Sequence, residues 1–297
     1  MATVQVRRVR CPYCGQEFEV PSTVSLAVCP YCGTTVWIQT GEQFKEHYMY
    51  PVKLEYNAAY SQAIGVALRQ FEAPERLELD ASPSAGMIHF VPLYLYHIRV
   101  RAECPDNPEA GLEEDWANRL ATTSPPRGLP ETYRFPVRGR RFFEPRTLKR
   151  GKYYQPDLDP KRLLETVTSG PSLKAYREAL NWCSEPKLVD ESKWVGIVHY
   201  PLWEVRYRYA GEEYYSLVDA VTGDVIFLEY PIESSKRGVL LAAAGSMIAV
   251  ASLLGAAVGS EISSAIYGLI GGFISGMPGA LVYMRSGTRR RGEYRGV

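Results

Sequence analysis

The sequence predicts an α+β chain in three parts, and three observations carry that expectation. The pentapeptide Cys-Pro-Tyr-Cys-Gly occurs twice near the start, at Cys11–Gly15 and Cys29–Gly33. A strand motif recurs, Gly86-Met-Ile-His89-Phe-Val-Pro92-Leu-Tyr94 and then Gly196-Ile-Val-His199-Tyr-Pro201-Leu-Trp203. From Val239 to Met284 the chain carries one charged residue, Glu261. The expected parts are a cysteine module over 1–40, a duplicated antiparallel-sheet-plus-helix domain over 41–235, and a pair of apolar helices with a basic tail over 236–297. A length of 297 residues allows about two domains plus accessories, and 46% hydrophobic residues supply a core.

Cys11, Cys14, Cys29 and Cys32 form two Cys-x2-Cys pairs, the spacing that puts two sulfurs on one tight turn. Gly15 and Gly33 supply the positive φ that lets backbone amides point back at a metal. The fourteen residues between Cys14 and Cys29 match an intervening hairpin. The pattern resembles the zinc-ribbon family in its double-knuckle form and predicts one zinc held by four thiolates, with disulfides or iron as the competing uses. Met1 to Arg10 lacks the apolar run of a secretory leader, so a reducing compartment is expected. Cys104 and Cys183 stand outside any ligand spacing; part-buried thiols are expected, with a bond between them as the alternative.

A net charge of +1 disfavours a dedicated nucleic-acid binder. In the cysteine module, Arg7, Arg8 and Arg10 are offset by Glu17 and Glu19. Basic residues concentrate between Arg127 and Lys152, with Tyr133, Phe135, Phe142 and Phe143 interleaved. Such a stretch can grip nucleic acid by phosphate contacts and stacking, or lie on anionic lipid headgroups at about 1 kcal/mol per basic residue. The plain alternative is a hairpin turning at Arg138-Gly139 with a solvated basic face. For a chain tethered to a membrane, lipid outranks nucleic acid.

Glu261 divides the apolar region into 239–258 and 262–284, each long enough to cross a hydrocarbon core of about 30 Å. A charge at the bilayer centre is costly, so Glu261 belongs at the hairpin tip with Gly259 and Ser260. Lys236 and Arg237 precede the region, and Arg285, Arg289, Arg290, Arg291 and Arg295 follow it. The positive-inside rule then places two spans in the cell membrane with both termini cytoplasmic. A buried hairpin of a soluble domain leaves these cationic flanks unexplained. Gly255, Gly259, Gly268, Gly272 and Gly276 recur at four-residue spacing, which lets helices approach closely within the hairpin or between copies in a homo-oligomer. With no ionisable residue at mid-depth, a transporter or channel is disfavoured.

Repeat one is expected over about 48–103 and repeat two over about 157–232, around a basic, Pro-rich insertion at 104–156 whose opening, Cys104 to Pro130, reads as irregular. Tyr94, Tyr96, Ile98 and Val100 alternate on one strand, and Trp203, Val205, Tyr207 and Tyr209 on the other. Their opposite faces, His97, Arg99 and Arg101, then Glu204, Arg206 and Arg208, predict a sheet wet on one side. Helices are expected over Asn57 to Gln70 with Asn57 as cap, from Asp159 with Pro160 at the first position, and separately over Ser172 to Trp182. A meander follows, turning at Ala210-Gly211 and Thr222-Gly223-Asp224.

In order, the double knuckle, Pro51 to Leu54, Phe71-Glu72-Ala73-Pro74, Gly86 to Tyr94, Tyr200 to Trp203 and Tyr207-Arg208-Tyr209 resemble prokaryotic membrane-anchored zinc-ribbon proteins. Those are labelled TFIIB-type zinc ribbon or primosomal helicase-like. The resemblance covers nearly the whole chain and departs at Asp219, where relatives tend to have Asn-Gly. It implies no catalytic activity, and a docking platform at the membrane beside stomatin-like or phage-shock-like proteins. The residues agree in lacking His-Glu-x-x-His, Gly-x-Ser-x-Gly and Walker patterns. The expectation is therefore a non-enzymatic adaptor that recruits a cytoplasmic protein, with a membrane-anchored nucleic-acid binder as the alternative. His89 and His199 hold equivalent places in the repeat; packing is the first expectation and a shared metal the second.

Overall fold

A computed structural model describes residues 6–296 except 23, 25, 42, 45, 145, 146, 148, 263, 264 and 289, so Arg146 and Arg289 lie outside the described residues. Each cysteine knuckle sits at the turn of its own small hairpin. β1 (Val6–Arg10) pairs antiparallel with β2 (Glu17–Pro21), and β3 (Leu26–Val28) with β4 (Thr35–Trp37), which also pairs with β5 (Gln43–Phe44). The residues between Cys14 and Cys29 therefore do not make one intervening hairpin: β2 closes the first sheet and β3 opens the second.

After β6 (His47–Met49) come α1 (Tyr56–Leu68) and α2 (Leu77–Asp80). The cap of α1 is Glu55 rather than Asn57, which lies in the first turn and accepts from the Ser61 hydroxyl through its carbonyl. β7 (Ser82–Cys104) turns at Pro105-Asp106 into β8 (Asn107–Leu120). That 14-residue strand replaces the irregular excursion expected from Cys104; its acid-rich Glu113-Glu114-Asp115 hides the strand from an apolar-alternation test. Two short strands, β9 (Arg141–Phe142) and β10 (Lys152–Tyr153), precede α3 (Pro160–Ala179). Asp159 caps α3 by accepting from the Lys161 amide, as expected, but the helix runs through Pro171, so the two helices expected here are one.

β11 (Lys187–Asp190), β12 (Lys193–Tyr209), β13 (Glu212–Asp219) and β14 (Val225–Pro231) complete the meander, turning through Ala210 and Gly211 at φ 50° and 81°. The main sheet runs β10-β7-β12-β13-β14 and ends on β15 (Arg291–Arg295), with β8 and β11 beside β7 and β6 beside β12. β7 and β12 pair antiparallel so that the two motif copies lie against each other, Tyr94 opposite Ile197, Val91 opposite Tyr200 and Ile88 opposite Trp203. α1 precedes β7 yet packs on β12, β13 and β14; α3 precedes β12 yet packs mainly on β7 and β8.

The face predicted to be buried is buried. Tyr94, Tyr96, Ile98 and Val100 meet Val167, Ala175 and Ala179 of α3. Val205 and Tyr207 meet Ala59, Ala63 and Ala67 of α1. Each tyrosine hydroxyl finds a carbonyl, Tyr94 on Leu158 at 2.7 Å and Tyr207 on Glu229 at 2.6 Å. The opposite face is wet only toward the strand ends, where Arg99 and Arg101 pair with Glu191. At its centre Val91, Leu93, Leu95 and Tyr200 are buried beneath Leu129, Tyr133 and Phe135. The basic stretch is thus a cover over the sheet, neither a free ribbon nor a hairpin. Arg127 pairs with Glu229 and lies over the Tyr215 and Phe227 rings, and Arg140 lies over Tyr48 and Trp116.

One tie joins the halves and a second fastens the cover to the sheet. Cys104 and Cys183 form a disulfide across 79 residues, joining the end of β7 to the segment after α3. Closing a loop of that size removes about 4.5 kcal/mol of unfolded-chain entropy in the chain-entropy account. Asp219, fully buried, accepts from the Tyr133 and Tyr200 hydroxyls at 2.6 and 2.7 Å and from the Val221 and Thr222 amides at 2.7 and 2.9 Å.

α4 (Ser234–Ile262) and α5 (Ala265–Thr288) run antiparallel. At Gly255 a Cβ would come within 2.2 Å of the Gly268 carbonyl, so the glycine ridge is used within this pair. Glu261 lies in the last turn of α4, beside the tip, as expected. In α4, Leu241–Val258 is long and apolar enough to cross a membrane, and only 6% of it is buried. A full second run over 262–284 was expected; the apolar stretch of α5 is the shorter Ile266–Pro278. The expected basic tail is instead an edge strand, β15 (Arg291–Arg295), antiparallel to β14 with Arg291 opposite Pro231. Tyr294 joins the α1 core there, and Arg291 pairs with Glu212 and Glu229.

A carboxylate only accepts, so four donors suit Asp219 and would meet an amide's own N–H in its place. Asp219→Asn is expected to lower unfolding free energy by about 2 kcal/mol, read by denaturant titration.

Candidate metal centre

The four knuckle cysteines converge. Their sulfurs lie within 4.8 Å of one another, with Cys11 to Cys32 at 3.6 Å and Cys14 to Cys29 at 3.7 Å. A tetrahedron with metal–sulfur bonds of about 2.3 Å sets sulfurs about 3.8 Å apart, so the cluster fits a metal ion. Gly15 and Gly33 have φ of 74° and 75°, and their amides return to the Cys11 and Cys29 carbonyls at 3.0 and 2.9 Å. Both knuckles thus use one local geometry, set by one local sequence. Among the described residues these four form the one group of at least three such side chains placed to share an ion.

The thiols are not equivalent. Burial pushes Cys29 up to about 12. Burial also pushes Cys32 up, but hydrogen bonds with the hydroxyl and amide of Thr34 outweigh it and bring Cys32 down to about 7. Ligation by a protonated thiol such as Cys29 must release a proton.

The second knuckle is fastened to the sheet. The Gln155 side-chain amide accepts from the Val28 amide at 3.0 Å and donates to the Val28 carbonyl at 2.9 Å. Trp37 meets Trp194 edge-on with ring centres 5.5 Å apart, and Leu26 enters the core with Tyr94. Two residues past Gly33, Thr35 Oγ1 lies 2.8 Å from His47 Nδ1, and His47 Nε2 lies 2.9 Å from His199 Nδ1. His199 Nε2 reaches the Tyr154 carbonyl at 3.3 Å. That carbonyl accepts only, so His199 carries its proton on Nε2, His47 donates to His199, and the Thr35 hydroxyl donates to His47. Phe143 stacks on His47 and Tyr153 on His199. Burial holds His47 well below the ordinary imidazole value and pushes His199 down to about 3, so both are neutral.

His89 lies on the other face of the sheet, opposite Leu202, and shares nothing with His199 that a metal could use. It bonds Tyr154 Oη through Nδ1 at 2.7 Å and Glu204 through Nε2 at 3.0 Å. His97 is near the surface, on Glu114 at 3.0 Å and against the Trp116 ring. The sequence indicates the four cysteines but not the histidine chain, because His47 and His199 are 152 residues apart and no spacing joins them. No protein-family model, curated protein or solved structure matches this chain.

Cys29→Ser is expected to reduce bound metal from about one ion per chain to none, measured by elemental mass spectrometry after dialysis. Between an ordinary pKa of about 6.5 and the folded value of about 3, an unfolded His199 binds a proton that the folded one refuses. Stability therefore falls as pH drops below about 6.5, by about 1.4 kcal/mol per pH unit from this residue. Denaturant titrations between about pH 6 and pH 5 should give a slope shallower by that amount in His199→Asn.

Proposed function

We propose that the chain is a non-enzymatic adaptor tethered to a membrane by α4 and α5, with zinc in the four-thiolate centre. The observation that carries it is the base of the helix pair: the chain leaves the sheet at Pro231 and returns to it at Arg291, opposite the same residue. Helices of 29 and 24 residues extend from that base with their large apolar side chains exposed. At about 1.5 Å per residue the apolar run Leu241–Val258 of α4 is some 27 Å long, and the shorter run Ile266–Pro278 of α5 is the return beside it. Because both ends meet at β14 and β15, a crossing by α4 must be undone by α5, which keeps the cysteine module and the sheet on one side. Cationic Lys236 and Arg290 at the two ends favour the cytoplasm for that side.

Zinc is favoured because four thiolates in a closed tetrahedral set suit it, and a closed set serves structure rather than catalysis. Zinc fixes two knuckles that each present an exposed tyrosine, Tyr13 and Tyr31, and these form the surface offered to a cytoplasmic protein. The family resemblance points to stomatin-like or phage-shock-like partners.

Membranes carrying the full chain, washed at alkaline pH, test the tether. The wild type is expected to stay in the pellet, while Leu253→Lys with Ile270→Lys moves to the supernatant. Release of the wild type would overturn it.

A further inference from the structure

On the sheet face away from the metal centre, a cleft of about 380 Å³ opens around His89. Four cations from four separate elements line it: Arg127 in the cover, Lys152 in β10, Arg206 in β12 and Arg291 in β15. Against them stand the lining carboxylates Glu204, Glu213 and Glu229, and Arg291 also pairs with Glu212 outside the cleft at 3.2 Å.

Each of these three carboxylates is already engaged. Glu204 accepts from His89 and from Arg206 Nε at 2.7 Å. Glu213 accepts from Ser84 at 2.9 Å and pairs with Arg206 at 3.4 Å. Glu229 pairs with Arg127 and with Arg291 at 3.8 Å. The Lys152 ammonium lies 4.8 Å over the Tyr154 ring. Lysine and arginine side chains only donate, at three and five N–H groups each, so the cations offer more donors than these carboxylates take up. Among the described residues Lys152 is the one lining cation with no carboxylate partner, and the spare donors suit a ligand rich in acceptor oxygens. Guanidinium forks with an ammonium match the oxygens of a phosphate in shape and charge.

We propose that this cleft binds a phosphate-bearing group, carried by a lipid headgroup or by a small soluble phosphoester. Its place favours access to both sources. Arg291 opens β15 just after α5 ends at Thr288, so one wall stands at the foot of the helix pair. Only the lipid source rests on the membrane reading.

The test uses the full chain, metal loaded, in neutral detergent and in nanodiscs. Glycerol 3-phosphate is titrated in detergent by calorimetry, and phosphatidylglycerol is added to phosphatidylcholine nanodiscs to follow the cleft resonances by NMR. Lys152→Gln and Arg127→Gln, each checked for an unchanged thermal melt, are compared with Arg138→Gln, an exposed cation of the same stretch outside the cleft. Saturable binding weakened at least about tenfold in both cleft variants and unchanged in Arg138→Gln is the expected result. The same pattern with glycerol 3-phosphate assigns a soluble ligand, and with phosphatidylglycerol alone a headgroup. A chain that fails to hold the membrane still gives the detergent result. No saturable binding of either probe below about 10 mM, or equal loss in Arg138→Gln, would overturn the site.

Discussion

The antiparallel pairing of β7 with β12 is the contact on which the rest depends. It brings the two copies of the Gly-His-Pro-Leu motif face to face about Val91 and Tyr200, and β6, β8, β10, β11 and β13 pair directly onto one or other of its strands. Because side chains alternate along it, His199 is sent toward the metal centre and His89 toward the cleft. The extra residue of the first copy, Val91, changes which residues face each other, and it explains why two equivalent histidines cannot meet. Each helix packs on strands of the other half, so neither half buries its apolar face alone. The disulfide and Asp219 then fasten what the ladder has aligned.

The ladder also accounts for the two peripheral modules. The cysteine module is joined to it through Gln155, Trp194 and the His47–His199 pair, all neutral and hydrogen-bonded, which is what a buried polar path requires. Thr35 joins the chain through a hydroxyl that can either donate or accept, and so lets both imidazoles stay neutral. At the other end, Phe71 to Pro74 supports the root of α4: Tyr230 donates to Glu72, and Lys236 lies over Phe71 and pairs with Glu75. These motif residues, weak one by one in the sequence, meet at the foot of the helix pair.

What was legible in the sequence was what local chemistry decides. The knuckles follow from Cys-x2-Cys-Gly, the α3 cap from Asp159-Pro160, and the buried stripe from Tyr94 to Val100. Missed features depend on distant partners. β8 has no apolar alternation and exists because β7 is long enough to pair with it. The basic stretch looks solvated until Leu129 and Phe135 are seen on the sheet, and β15 reads as a tail because only β14 makes it a strand. The role of Asp219 is hidden in the sequence because two of its donors, Tyr133 and Tyr200, lie 86 and 19 residues away.

If α4 and α5 form the proposed tether, lipid surrounds Leu241–Val258 of α4 and Ile266–Pro278 of α5 while β15 holds the two ends together on one side. Spin labels placed one at a time at positions 235, 253, 270 and 293 in nanodiscs, read by power saturation with oxygen and with a water-soluble nickel complex, test it most directly. Oxygen access with nickel exclusion at 253 and 270, and nickel access at 235 and 293, is the expected pattern. Nickel access at 253 or 270 equal to that at 235 would contradict it.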